Sequence, residues 1–264
     1  MSQFERAIIR DLPDSYTEGL TPGKFGMADI DLAREQHQKY KETLEKLGLE
    51  IIRLPKENAF PDSCFVEDPA IVTERVAILT NLGAPSRKGE AALILPILQK
   101  VYGTHIERIE APGTVEGGDI CEAGNHFFIG LSKRTNEEGA YQLAKILEKY
   151  GYTSSIISIR SFPNILHLKT GISYLGNKLV ICHSQIANDC GLDDYRKLIV
   201  KDEEEYASNC ILVNGTVIMP KGFDDAIRQV KEAGFDVIEL DMSEFMKQDG
   251  GLSCLSLRIP KLAF

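Results

Sequence analysis

The apolar positions of this chain fall into short, mostly β-branched blocks, separated by longer stretches in which apolar residues recur every three or four places. FERAIIR (4–10) is the first block and LEIIRLP, closed by Pro55, is the second. Between them, the polar, glycine-bearing stretch 13–27 predicts a long loop of the kind that covers a binding site. Asp31 then opens a helical run to Leu47, which Gly48 ends.

From there one order recurs: block, tight turn, block, helix, block. FVEDPAIVT, the turn Glu74-Arg75, VAILTN, a helix over 86–102 interrupted by Gly89 and Pro96, and THIERIE make one copy. GGDICEAG, Gly124-Asn125, HFFIGLS, a helix over 136–150 and SSIISI make the next. HLKTGISYL, Gly176-Asn177, KLVICHS, a less distinct helical stretch near Asp193 and KLIVKD follow. NCILV, Asn214-Gly215, TVIMP, a helix over 224–233 and FDVIEL complete a fourth. Gly-Asn and Asn-Gly pairs between such blocks are hairpin signals. The fifth copy is divided between the ends of the chain: GLSCLSLRI is its first strand, FERAIIR its second, then the helix 31–47 and LEIIRL.

A strand–strand–helix–strand unit repeated five times, at a spacing of roughly 40–50 residues, lies in the range of propellers and solenoids. Closure by the two ends of the chain favours a ring. The pattern predicts an α/β fold, a five-bladed αβ-propeller with pseudo-five-fold symmetry formed by residues 1–264 as one catalytic domain; an ordinary α+β sheet is the alternative.

The ring changes the meaning of scattered polar residues. In each unit the first strand is the innermost candidate. Glu67 and Asp68 fall in the first strand of one unit, Glu116 just before that of the next, His167 at the opening of the following one, and Cys254 in that of the fifth. All would converge near the axis, and only the fourth unit offers no obvious polar group. Alone, Cys254 reads as a small buried hydrophobe. With a histidine and carboxylates beside it, it fits an intracellular cysteine nucleophile. Gly250 and Gly251, just ahead of it, predict backbone conformations closed to other residues.

Composition narrows the function classes. The chain has 264 residues, 43% hydrophobic, ample for a large core. A net charge of −9 argues against a nucleic-acid partner and suits a cationic substrate. No apolar run approaches the roughly 18 residues of a membrane span, and the first residues lack a signal-peptide pattern. Six cysteines (Cys64, Cys121, Cys182, Cys190, Cys210, Cys254) show no CxxC or metal-site spacing, which predicts free thiols in a reducing cytoplasm. The five other than Cys254 read as packing thiols. His37, His105, His126 and His183 read as surface or structural residues, with Cys182 and His183 on opposite faces of a strand.

Six motifs in order, FPDSCFVEDP, APSRKGE, EAPGTVEGGD, IGLSKRTN, HLKTG and DGGLSCLSLR, resemble the dimethylarginine dimethylaminohydrolase family of the guanidino-group-modifying superfamily. The resemblance runs from about residue 19 to the C-terminus. It implies the five-bladed αβ-propeller. It also implies hydrolysis of Nω-methylated arginine (asymmetric dimethylarginine, monomethylarginine) to citrulline and methylamines through a covalent cysteine thiouronium. Neither metal nor organic cofactor is implied, and homodimers are common in such enzymes. By motif, Cys254 corresponds to the nucleophile, His167 to the general acid/base and Glu116 to its carboxylate partner. Glu67 and Asp68 correspond to the guanidinium-binding pair, Arg87 and Arg134 to the clamp on the substrate α-carboxylate. Asp62 and the backbone of Leu20 correspond to the α-amino site, which also uses the backbone of Gln248, where an aliphatic residue is common.

Rivals differ at defined positions. Arginine deiminases, which release ammonia from free arginine, typically read HLDT where this chain has HLKT, so Lys169 is expected to leave one guanidinium nitrogen less tightly held. An amidinotransferase would need an acceptor amine, and a non-catalytic propeller binding protein would lack the Cys, His and acid set. Either a protonated His167 or the substrate cation would favour the thiolate, and the second is expected to contribute strongly, because the acids around Cys254 work against a low thiol pKa in the free enzyme.

Overall fold

The structure is a computed structural model that describes residues 3–21, 23–162, 165–188 and 190–264, with Cys190 described by its backbone alone; that thiol lies outside the described side chains. In chain order the elements are β1 (Phe4–Arg10), α1 (Ile30–Lys46), β2 (Glu50–Leu54), β3 (Ala70–Val72), β4 (Ala77–Leu79), α2 (Glu90–Tyr102) and β5 (Ile106–Arg108). Next come β6 (Ile120–Ala123), β7 (His126–Leu131), α3 (Glu137–Lys149), β8 (Thr153–Ser158), β9 (Ile172–Gly176), β10 (Leu179–His183), α4 (Ser184–Ala187) and β11 (Arg196–Val200). The chain ends with β12 (Ile211–Val213), β13 (Thr216–Pro220), α5 (Asp224–Glu232), β14 (Asp236–Leu240), α6 (Ser243–Met246) and β15 (Leu257–Pro260).

These strands form five three-stranded sheets, in the orders β15-β1-β2, β3-β4-β5, β6-β7-β8, β9-β10-β11 and β12-β13-β14. In every sheet the middle strand pairs antiparallel with the first and parallel with the third. The burial pattern says where each strand lies. Middle strands such as β4 and β10 are buried on both faces, whereas the third strands β8, β11 and β14 carry exposed positions. First strands touch across blades, β6 with β9, β9 with β12 and β15 with β3, so they line the centre of the ring. Short tight turns suit the antiparallel pair, and a helix the parallel return.

Local chemistry sets most boundaries. Asp29 caps α1 by accepting from the N–H groups of Asp31 and Leu32 at 2.9 and 3.1 Å, so the helix starts slightly earlier than the sequence pattern suggested. The expected helix over 86–102 is shorter: Pro85–Arg87 forms a separate 3-10 turn and α2 runs unbroken through Pro96. The stretch near Asp193 yields only the one-turn α4 and a 3-10 turn at Cys190–Leu192. The loop 13–27 is partly built, with a 3-10 turn at Tyr16–Glu18 that buries Tyr16 against Phe65 and Phe245. Among the described residues no helix is long and apolar enough to cross a membrane.

The main register difference bears on function. The first strands begin later than the apolar blocks do. Glu67 and Asp68 occupy a turn ahead of β3, and Cys254 a 3-10 turn ahead of β15, rather than lying within strands. Polar residues thus cluster where the chain enters each first strand, and the hairpin turns lie at the opposite end.

At the hairpin end, the closing blade is tied to its neighbour by the Asn214 side chain. Asn214, at φ 48° in the β12–β13 turn, accepts from the Phe4 N–H at 2.9 Å and donates to the carbonyls of Phe4 and Leu47 at 3.0 Å each. Asn214→Ala removes these bonds and places alanine in a left-handed turn position. We expect a loss of about 2 kcal/mol, read as a lower urea midpoint at unchanged slope; an unaltered midpoint would show that closure does not depend on this contact.

Candidate active site

Where the chain enters the first strands, one small pocket is lined by Leu20, Asp62, Asp68, Arg87, Glu116, Arg134, His167, Gln248 and Cys254, together with Phe65, Leu166, Asp249 and Gly250. Nine of the ten residues singled out by motif therefore meet in one place. The exception is Glu67.

Arg87 is the centre of the arrangement. Its Nη1 donates to Asp68 Oδ2 at 2.6 Å, its Nε and Nη2 grip both oxygens of Glu90 at 2.9 and 2.7 Å, and Nη2 also reaches the carbonyls of Phe65 and Asp62 at 3.1 and 3.3 Å. Of its five N–H groups only one on Nη1 is left without a partner among the described residues. The expected carboxylate clamp is thus unequal. Arg87 is mainly a buried anchor, whereas the Arg134 side chain, 21% exposed, stands at the mouth 3.9 Å from Glu116.

Asp68 accepts from Arg87 and, through Oδ1, from the Gly118 N–H at 2.9 Å. Burial pushes its carboxyl up, but Arg87 and His167 hold it below the ordinary carboxylate range. Gly118 has no room for a side chain: a methyl there would lie 2.9 Å from Cγ and Nδ1 of His167 and 3.0 Å from Asp68 Oδ1. Asp68 and the imidazole are therefore neighbours across a bare backbone.

His167 precedes a 3-10 turn, Leu168–Thr170, and its Nε2 lies 2.7 Å from Glu116 Oε2. Glu116 is almost fully buried and accepts from the Ala84 N–H through its other oxygen at 2.9 Å. Burial lowers the His167 pKa, but the carboxylates of Asp68, Asp119 and Glu116 outweigh it and lift the pKa to about 9. The imidazolium is the resting form at neutral pH. Ligand atoms of Asp68, Glu116 and His167 lie within 4.8 Å of one another, a spacing a metal could bridge, but each is already bonded to protein.

Cys254 is half-buried, and its Sγ accepts from the Gly251 N–H at 3.4 Å. Burial, then Glu67 and Asp68, push its pKa up to about 12, against small opposing effects of the Gly251 N–H and Lys169. The direction is the one expected from the surrounding acids. Gly250 and Gly251 do not adopt left-handed conformations; the residue with positive φ is Asp249, at 54°. These glycines serve close approach instead, since methyl groups on them would meet Phe65 at 2.4 Å and the Asn209 side chain at 2.5 Å.

Glu67, expected to share the guanidinium with Asp68, faces the other way. It lines a cavity of about 800 Å³ at the hairpin end of the first strands, where Lys169 Nζ lies 2.6 Å away, Ser253 Oγ donates at 2.8 Å and Arg258 stands at 3.6 Å. Lys169 lines the same cavity and not the small pocket. At the position where deiminases typically carry an aspartate, this chain therefore places no side chain in the small pocket. Two residues were missed. Asn209, ahead of β12, is the polar contribution of the fourth unit: its Oδ1 accepts from the Ser253 N–H at 2.9 Å and its Nδ2 donates to Ser253 Oγ at 3.1 Å, fixing the turn that carries Cys254. Asp119 is fully buried, accepts from Ser132, Thr135 and the Leu168 N–H at 2.7, 2.6 and 3.0 Å, and holds the turn after His167. The Asp in VEGGD was visible as a signal.

Of the described residues in the loop 13–27, Leu20 lines the pocket. Leu20 N–H donates to both Asp62 oxygens at 3.2 Å, Thr21 Oγ1 to the Lys247 carbonyl at 2.8 Å, and Lys24 lies 3.8 Å from Glu205. The enclosed space is about 30 Å³, room for water rather than an amino acid. A larger cavity of about 700 Å³, sharing Leu166, Asp249 and Gly250, adjoins it.

Fold and site together define a five-bladed αβ-propeller with a cysteine, a carboxylate-paired histidine and a buried acid on its axis. Comparison with known proteins agrees. Residues 57–213 match the family model described as arginine deiminase. The chain is 44% identical to the N(G),N(G)-dimethylarginine dimethylaminohydrolase of Pseudomonas aeruginosa, over 97% of this chain and 99% of that one. A solved structure of that organism's enzyme, a cysteine-to-serine mutant complexed with citrulline, superposes with a TM-score of 0.94 at 43% identity, over 97% of this chain and all of that one. The N-terminal domain of the arginine dihydrolase ArgZ, 20% identical with a TM-score of 0.86 over 97% of this chain and 99% of that chain, shares the fold. The chain belongs to the dimethylarginine dimethylaminohydrolase family.

The electrostatics predict how Cys254 responds to pH without substrate. A thiol near pKa 12 ionises tenfold more per pH unit at every pH below that value. Alkylation of Cys254 by iodoacetamide, followed by peptide mass spectrometry, should rise about tenfold per unit between roughly pH 7 and 9 with no plateau. A plateau reached below pH 8 would mean a preformed thiolate.

Proposed function

We propose that this chain hydrolyses Nω-methylated arginine to citrulline and methylamine or dimethylamine, with Cys254 as nucleophile. One observation carries the reading. The half-buried thiol, the Arg87-anchored Asp68 and the Glu116-bonded His167 face one closed pocket in a chain 44% identical to a dimethylarginine dimethylaminohydrolase.

A guanidinium is a resonance-stabilised cation and a poor electrophile, so its plane must be held against the attacking sulfur. Asp68 supplies charge-assisted hydrogen bonds for this. Its second partner, Arg87, keeps it ionised and fixed. The role first given to the pair Glu67 and Asp68 falls to Asp68, while Glu67 supports the turn bearing Cys254 through Ser253. Arg134 and the free Nη1–H of Arg87 are placed to meet the α-carboxylate, and Asp62, with the Gln248 backbone and the Leu20 segment, the α-ammonium.

Arrival of the substrate cation offsets the acids that keep the thiol protonated, and the thiolate attacks the central guanidinium carbon. The tetrahedral adduct collapses as the imidazolium of His167 protonates the departing amine, leaving a Cys254 thiouronium. The neutral imidazole, its other nitrogen held by Glu116, then takes a proton from water as that water attacks. Citrulline leaves and the thiol is restored. Atoms balance with water as the only co-reactant.

Purified protein incubated separately with asymmetric dimethylarginine and arginine tests the reading. Dimethylamine should form in equal amount with citrulline, and Cys254→Ser should abolish both. Ammonia from arginine as the faster reaction would assign the chain to the deiminases instead. Glu116→Gln should lower kcat about 100-fold. It should also shift the alkaline limb of the kcat profile to lower pH, because an imidazolium without its carboxylate loses its proton more easily. An unshifted limb would show that Glu116 does not tune His167.

A further inference from the structure

Gln248 holds a polar group that the described structure does not satisfy. The residue is 3% exposed, and its Oε1 is one of four buried side-chain polar atoms without a hydrogen-bond partner among the described residues. A neutral acceptor left bare in the interior is costly unless something completes it. Gln248 also lines the small pocket beside Asp62 and Leu20.

The local geometry says what would complete it. A methyl group placed on Gly19 would lie 2.5 Å from Asp62 Oδ1 and 3.2 Å from Gln248 Oε1. Both oxygens thus pack against Gly19 and are no more than about 6 Å apart, in two residues that line the same small pocket. The backbone of Gly19 does not itself require glycine, since its φ is −66°. Two acceptors this close repel each other when no donor lies between them. One –NH₃⁺ group can bridge them, with its nitrogen about 2.8 Å from each.

We propose that the Gln248 side-chain oxygen is a second acceptor for the α-ammonium group of the substrate, and that it makes the pocket select amino acids over guanidines that lack an α-amino group. The proposal rests on the methylarginine reading and goes beyond it: the motif resemblance assigned only the backbone of Gln248 to substrate, at a position where an aliphatic residue is common. A carboxylate and an amide oxygen converging on one cation give the α-carbon end a charge requirement and a directional one.

The test uses product analogues, so it does not depend on turnover. Binding of citrulline and of 5-ureidopentanoate, its counterpart without the α-amino group, is measured by calorimetry on wild type, Gln248→Met and Gln248→Glu. Gln248→Met keeps the shape and loses the acceptor; it should weaken citrulline about tenfold and leave 5-ureidopentanoate within about twofold. Gln248→Glu, which retains an acceptor, should keep citrulline binding within a few-fold of wild type. With dimethylarginine, the Met variant should raise KM by a similar factor while kcat changes little. Equal weakening of both ligands, or no weakening of citrulline, would overturn the inference. Release of dimethylamine by wild type reports separately on the proposed reaction. Gln248-dependent citrulline binding without amine release would sink that reaction alone.

Discussion

The buried contact of Arg87 with Asp68 and Glu90 is the interaction on which the rest of the site depends. One guanidinium serves two carboxylates and two backbone carbonyls inside the ring. Breaking such a group by removing one partner leaves an uncompensated charge and costs about 3–5 kcal/mol. The count of charges matters as much as the bonds. Two carboxylates against one cation leave the anchor acidic, and the acidity points through Asp68 to the place where the substrate cation would lie. Asp68 in turn fixes the Gly118 backbone, on which the His167 ring rests.

Acidity around a nucleophilic thiol looks like a contradiction. Asp68 and Glu67 raise the Cys254 pKa, which suppresses the thiolate, while Asp68, Asp119 and Glu116 raise that of His167, which keeps the acid form ready. Both shifts hold the empty site in one resting state, thiol beside imidazolium. A cation next to Asp68 would offset one of the charges that, after burial, suppress the thiolate.

Much of this was legible in the sequence because hairpin chemistry is local. Asn214 and Gly215 both take positive φ, as do Gly176 and Asn177, and these pairs marked the blades. The divided fifth blade followed from the repeat order, and β15 does pair with β1. What was less legible depends on direction and on the third dimension. FVEDPAIVT reads as one continuous strand, but the carbonyl of Phe65 accepts from Arg87 and only Ala70–Val72 joins a ladder. Adjacent residues on an extended chain point to opposite sides, a reason available in advance for Glu67 and Asp68 to part company. Asn209 carried no such signal, because its partner, Ser253, is 44 residues away and meets it only once the ring closes.

The loop 13–27 and the pocket share one carboxylate. Asp62 receives the Leu20 N–H with both oxygens at 3.2 Å, long for such a bond. An ionised carboxylate offers about four lone-pair positions, so an arriving ammonium need not displace the loop. It adds a stronger, charge-assisted donor to an acceptor whose loop contact is weak. Burial of Asp62 raises its pKa, with Asp68 adding to the rise, so a cation beside it relieves an existing cost. The pocket as it stands is too small for an amino acid, and on the proposed reading the Leu20 N–H and the α-ammonium would share this one carboxylate. On that reading a ligand that keeps Asp62 ionised also strengthens the acceptor that holds the Leu20 N–H.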